Sequence, residues 1–220
     1  MTNQDNFILD TIDDPELGER IDMGRRSLFA RGVAPAIAAA SAPLLIAAAS
    51  SEAFGASLPQ KVVDVLNFAL TLEYLEAAFY TQGNLAPGLI PSEYKRLFAT
   101  IGAHEVAHVL LLKSALGSAA VKAPAVDFTA GGKYADVFSN FETFATLSAT
   151  FEDLGVAAYK GQAGALIGTP VLTTALQIHS VEARHAAAVR PIVGKSTAPD
   201  AFDKPKTMKQ VLAAAKPFLA

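Results

Sequence analysis

Glu105-Val106-Ala107-His108 and Glu182-Ala183-Arg184-His185 decide how this chain reads. In each, an acid and a histidine stand three residues apart, which places them side by side on one face of a helix. Both pairs lie on stripes that are otherwise apolar: Leu97, Ile101, Glu105, His108 and Leu112 in one segment, Ala175, Ile178, Glu182, His185 and Val189 in the other. Two more stripes carry a lone acid, Leu66, Leu70, Glu73, Ala77 and Tyr80, and Ala145, Glu152 and Tyr159. Burying an ionised carboxylate without a partner costs several kcal/mol even after relaxation. Four on inward faces must therefore be protonated or neutralised, and two divalent cations would balance them. The i, i+3 spacing lets Glu105 with His108, and Glu182 with His185, each hold one cation, while Glu73 and Glu152 can bridge or terminate.

Working outward, apolar residues recur at three and four positions from Leu58 onward, and no segment alternates as a strand does. Five helices are expected. The first spans about Pro59 to Gln82, ahead of Gly83 and the Pro87-Gly88 turn. A second follows Pro91, with Ser92 placed to cap it, and reaches Gly117. After a polar connection containing Pro124, Gly131 and Gly132, the third covers Ser139 to Gln162. The fourth starts at Thr169-Pro170, read as a cap followed by a first-turn proline, and runs to Arg190. A short fifth helix covers Thr207 to Leu219. Four long helices and a connection able to cross the end of a bundle give an all-α, up-down four-helix bundle.

The first and third helices also repeat each other. Glu73-Tyr74-Leu75-Glu76-Ala77-Ala78-Phe79-Tyr80 aligns with Glu152-Asp153-Leu154-Gly155-Val156-Ala157-Ala158-Tyr159, sharing Glu, Leu, Ala and Tyr at matching offsets. Each copy precedes its own Glu-x-x-His by a similar interval, so a duplicated helix pair about an approximate two-fold would set one metal on either side of the axis. The repeat selects Glu73 over Glu76, whose place is taken by Gly155, although the two acids lie only about 60° apart round the helix. Glu76 then reads as a solvated residue or as an outer carboxylate. Tyr80 and Tyr159 are candidates to hydrogen-bond the carboxylates or carry electrons, against the simpler role of buried tyrosines with satisfied hydroxyls. His179 either orients Glu182 or bonds a backbone carbonyl.

This set, in this order, resembles the ferritin-like superfamily of bacterioferritins, rubrerythrins and manganese catalases. More narrowly it is similar to the ferritin-like domain proteins related to plant desiccation-related proteins, over about Leu58 to Gly194. The resemblance implies a ferritin-like bundle with one long crossover, and a metal set of Glu73, Glu105, His108, Glu152, Glu182 and His185. It implies two iron or manganese ions, with zinc also compatible with oxygen and nitrogen donors, and O2 or peroxide as partners. Ferroxidase, peroxide-consuming and oxidase chemistry in oxidative or desiccation stress all fit, as does a homo-oligomer. Two other readings compete. A metal-stabilised structural protein would use the ions only to hold helices together. The segment His104-Glu105-Val106-Ala107-His108 also fits HExxH, in which His104 and His108 would bind zinc and Glu105 would act as base; that reading leaves Glu73, Glu152, Glu182 and His185 without a role.

Composition bounds the remainder. The 220 residues include no cysteine and no tryptophan, which excludes disulfides, thiol nucleophiles and iron-sulfur clusters. Residues 1–55 hold eight acids and four arginines. This segment carries −4 and the remainder +1, and the near-neutral body offers no surface for nucleic acid. Within it, Gly24-Arg25-Arg26-Ser27-Leu28-Phe29 precedes an uncharged, alanine-rich stretch from Gly32 to Ser51, the build of a twin-arginine export signal. Cleavage after Ser51-Glu52-Ala53 or Ala53-Phe54-Gly55 would leave residues 56–220 as one domain of ordinary size in the periplasm, with a membrane contact only through an uncleaved leader. Replacing Arg25 and Arg26 together with lysine is expected to hold the precursor in the cytoplasm. Cell fractionation checks this, and unchanged export would mean another pathway reads the segment.

Overall fold

The stripes fold as five helices in a computed structural model that describes residues 58–220. They are α1 (Gln60–Leu85), α2 (Lys95–Leu116), α3 (Phe141–Gln162), α4 (Val171–Val189) and α5 (Met208–Ala215). The leader expected at 1–55 lies outside the described residues. Among those described, no helix is long and apolar enough to cross a membrane, and extended backbone pairs only at an isolated bridge between Val126 and Leu219.

Helix starts differ from the sequence reading where local turn chemistry intervenes. Ser92 does not cap α2: Pro91 to Tyr94 close a turn first, with the Tyr94 amide donating to the Pro91 carbonyl at 3.0 Å, and the Ser92 hydroxyl donates to Glu93 instead. Thr169 likewise spends its hydroxyl on the Leu166 carbonyl, 2.7 Å away, so α4 begins after Pro170 without a side-chain cap. The caps that do form are Asn140, whose Oδ1 accepts from the Glu142 amide, and Thr207, which shares a capping box with Gln210.

Contacts between helices fix their directions. Asn84 at the end of α1 donates to the Phe98 carbonyl near the start of α2, while Asn67 reaches Ala119, so α1 and α2 are antiparallel. Tyr80 meets Glu152 and Tyr159 meets Glu73, so α1 and α3 are antiparallel too. His104 and His108 of α2 meet His185 and Glu182 of α4 in the same opposed sense. It follows that α2 and α3 run parallel, and the chain between them must travel back along the bundle. That is the task of the long crossover, residues 117–140, anchored by buried Phe128 and Val137 and tied to the C terminus by Asp127 amide to Phe218 carbonyl and Ala220 amide to Ala125 carbonyl.

Packing divides the bundle into two apolar ends. One is aliphatic, built on Val62, Leu66, Leu112, Leu116, Val171 and Ile178. The other is aromatic: Phe79 stacks on Phe144 with ring centroids 4.8 Å apart and meets Phe128 and Phe151 edge-on. Helix α5 seals the outer groove of α1 and α3, placing Val211 and Ala215 over Phe68, Leu72, Leu154 and Ala158. The segment leading into α5 crosses α3 at Gly161, where the Lys206 amide donates to the Ala157 carbonyl at 3.0 Å. A Cβ on Gly161 would fall 1.9 Å from the Lys206 carbonyl oxygen. Gly161→Ala should therefore lower stability by about 1–3 kcal/mol through forced separation of this crossing. Gly164→Ala, with open space around the added methyl, should not. Denaturant midpoints of the two variants check the contrast.

Candidate metal centre

Between the two apolar ends lies a layer of charge. Glu73 and Glu76 come from α1, Glu105 and His108 from α2, Glu152 from α3, and Glu182 and His185 from α4, all buried. Nδ1 of His108 stands 3.2 Å from Glu73 Oε2, 3.2 Å from Glu105 Oε2 and 3.0 Å from Glu182 Oε1. Nδ1 of His185 stands 2.9 Å from Glu105 Oε1, 3.3 Å from Glu152 Oε2 and 3.8 Å from Glu182 Oε2. A single ring N–H cannot serve three carboxylates from three directions. The geometry is one of donors converging on a point.

Unmade hydrogen bonds lead to the same description. Glu105 Oε1, Glu152 Oε2, both Glu182 oxygens and His185 Nδ1 are buried and satisfy no hydrogen-bond geometry, although they lie close enough to interact as charges. Two sets of four ligand atoms each fall within 4.8 Å of one another: Glu73, Glu105, His108 and Glu182, and Glu105, Glu152, Glu182 and His185. Glu105 and Glu182 belong to both, Glu73 and Glu152 to one each. An oxygen and nitrogen donor set of this kind, buried and with hydrogen bonds unmade, fits first-row transition-metal ions.

The tyrosines bind the two unshared acids crosswise. Tyr159 on α3 donates to Glu73 Oε1 of α1 at 2.5 Å, and Tyr80 on α1 donates to Glu152 Oε1 of α3. Each acid thus turns one oxygen to a tyrosine and the other toward the centre. This exchange is the two-fold of the sequence repeat seen in space.

Three other residues need separate accounts. Glu76 is not a solvated helix residue: it is 3 % exposed and turns into the layer. Gly155 faces it; a Cβ there would lie at contact distance, 3.4 Å from both Glu76 Oε1 and Glu182 Oε2. The glycine was the available sequence signal. His179 hydrogen-bonds neither Glu182 nor a backbone carbonyl; its Nε2 has Asp203 Oδ2 nearest, 3.9 Å away. His104 is exposed and lies outside both four-donor sets, with its Nδ1 turned to Nε2 of His185 at 2.9 Å. Among the described residues His104 joins no group of three or more donors, so an HExxH zinc site is not completed.

Electrostatics follow from burial. Loss of water pushes Glu73 up to about 8 against the opposing pull of His108. Burial and the neighbouring acids raise Glu76 and Glu152 well above the ordinary carboxylate range. Burial acts on Glu105 in the same sense, but His108 and His185 together outweigh it and hold that acid below its usual value. For the histidines, burial alone would lower proton affinity; the surrounding carboxylates reverse this, lifting His108 well above 6.5 and His185 to about 12. Burial, then the carboxylate each one contacts, raises both tyrosines. Burial lowers His104, helped by the two neighbouring imidazoles.

Helices paired antiparallel around a buried layer of carboxylates and imidazoles define a class, the four-helix bundles that build ligand sites in their cores. The family model described as the ferritin-like domain matches residues 61–195, and the chain belongs to that family. No curated protein matches the chain at a significant level.

These shifts set a pH dependence. Above 4.5 the folded protein keeps protons on Glu73, and above 6.5 on His185, that the unfolded chain releases. Without a cation, stability is therefore greatest at low pH within this window and falls as pH rises through 8. A bound cation displaces those protons and gains affinity with pH, so it should reverse the slope. Melting temperatures between pH 5 and 9, with and without excess Mn(II), check the crossing; parallel curves would refute it.

Proposed function

We propose that this bundle binds two divalent transition-metal ions, iron or manganese, and uses them in two-electron redox chemistry with O2 or peroxide. The observation that carries the reading is the pair of four-donor sets sharing Glu105 and Glu182. In this assignment Glu105 and Glu182 would be shared by both ions, Glu73 and His108 would complete one position, and Glu152 and His185 would complete the other. A pair of such ions supplies two electrons without leaving a radical on the substrate. The chain's own residues do the rest. Glu105 and Glu182 hold the positions within reach of a single small oxidant, and the aliphatic and aromatic ends keep bulk water away. Tyr80 and Tyr159 fix the unshared acids in one rotamer and are the nearest phenols able to pass a proton or an electron. Glu76, buried beside Glu182 and outside both sets, serves as an outer carboxylate. The twin arginines of the leader support a place outside the cytoplasm, and the oxidant chemistry supports a role in oxidative or desiccation stress.

The test is metal content joined to turnover. The purified protein should carry about two ions per chain and consume O2 or peroxide when they are reduced. Glu105→Ala should lose both ions, being shared, whereas Glu73→Gln should weaken one position and Glu76→Gln should leave both filled. Full occupancy in Glu105→Ala refutes the assignment. Two tightly held ions inert toward O2 and peroxide would make the metals structural.

A further inference from the structure

His104 stands on the solvent side of α2, and its ring meets that of His185 edge to edge and nearly coplanar, centroids 5.2 Å apart with 16° between planes. The ring of His108 lies 6.3 Å from that of His185. Nε2 of His185 meets His104 Nδ1 at 2.9 Å while its own Nδ1 faces Glu105, Glu152 and Glu182. A hydrogen bond between ring nitrogens needs one donor and one acceptor. If His104 donated, the proton of neutral His185 would lie on Nδ1, aimed at the carboxylates and blocking any cation there. If His104 accepts, that proton lies on Nε2 and the Nδ1 lone pair is free for the four-donor set. Only the second arrangement is compatible with a metal beside Glu152.

The repeat supplies no counterpart. The residue preceding Glu182, at the place His104 takes before Glu105, is Val181, which has no polar side-chain atom. Resting on the two-metal reading above, we propose that His104 is a positioning residue, accepting the Nε2 proton of His185 and fixing its tautomer and ring plane. This strengthens the Glu105/Glu152/Glu182/His185 position and not the other.

Titration of the metal-free full-length protein with Co(II), followed by visible absorption, tests this without reference to turnover. Wild type should bind two ions in resolved steps. His104→Leu, of similar bulk but with no acceptor, should weaken one step about 10- to 100-fold, the usual effect of losing a histidine's outer partner, and change that step's spectrum. His104→Gln, whose amide oxygen can accept, should recover most of the affinity. Because His104 is exposed, both variants should keep the metal-free melting temperature. Equal weakening of both steps, no weakening, or identical behaviour of the Leu and Gln variants would each overturn the role of His104 while leaving the two-metal reading standing. A wild type that binds no Co(II) would instead refute the reading on which it rests.

Discussion

Five carboxylates sit in one layer at the middle of a bundle with only two imidazoles in contact with them, and the rest of the structure answers that imbalance. Each ionised carboxylate removed from water carries a penalty of several kcal/mol after relaxation, and like charges at this range add to it. Protons and imidazolium ions can meet the deficit, as the raised affinities of Glu73, Glu152 and both histidines show. Divalent cations meet it better, because one ion satisfies several oxygens whose lone pairs already converge. Any metal binding here would therefore draw on the same free energy as folding.

Such a layer survives only if the helices carrying it cannot slide. The apolar ends act as clamps of different character, aliphatic side chains on one side and a cluster of phenylalanines on the other. The two tyrosines lock α1 to α3 through hydrogen bonds that reach across to the partner helix's acid. A displacement along the helix axes would break both at once and return two buried carboxylates to an unpartnered state. Parallel α2 and α3 oblige the chain to spend a long connection, yet that connection also covers the aromatic end, so its ordering cost is offset by burial of Phe128 and Val137.

Much of this was legible because acids and histidines on apolar stripes are costly enough to be informative. Spacing alone placed Glu73, Glu105, His108, Glu152, Glu182 and His185 on inward faces, and the structure brings all six together. What spacing could not do was resolve 60° of rotation. Glu76 shares a broad face with Glu73, and only the missing side chain at Gly155, on another helix, shows which acid is accommodated beside the layer. His104 was misleading for a different reason: its spacing suggests the HExxH pattern with His108, whereas its contact is to His185 on α4, which no local pattern shows. The starts of α2 and α4 escaped because a serine or threonine before a helix can close a turn of its own, and Ser92 and Thr169 have other partners.

The departures from two-fold symmetry share a direction. Duplication explains matched acids, matched tyrosines and matched Glu-x-x-His pairs, and by itself it would yield two equivalent positions. Glu76 and His104 both belong to the first repeat and have no polar counterpart in the second, where Gly155 and Val181 stand. Both also act toward the same side of the layer. The charges felt most by Glu76 are those of Glu182, Glu105 and Glu152, and His104 touches His185. Together these four residues are one of the two donor sets. An added acid nearby favours higher positive charge at that position, and a fixed imidazole tautomer favours occupancy of it, so each device biases the same half of a symmetric frame. Inequivalence of this kind needs only one further acid on α1 and one surface histidine that reaches inward. Where cations bind, it would make the halves of a duplicated site differ in affinity and in the charge they best support.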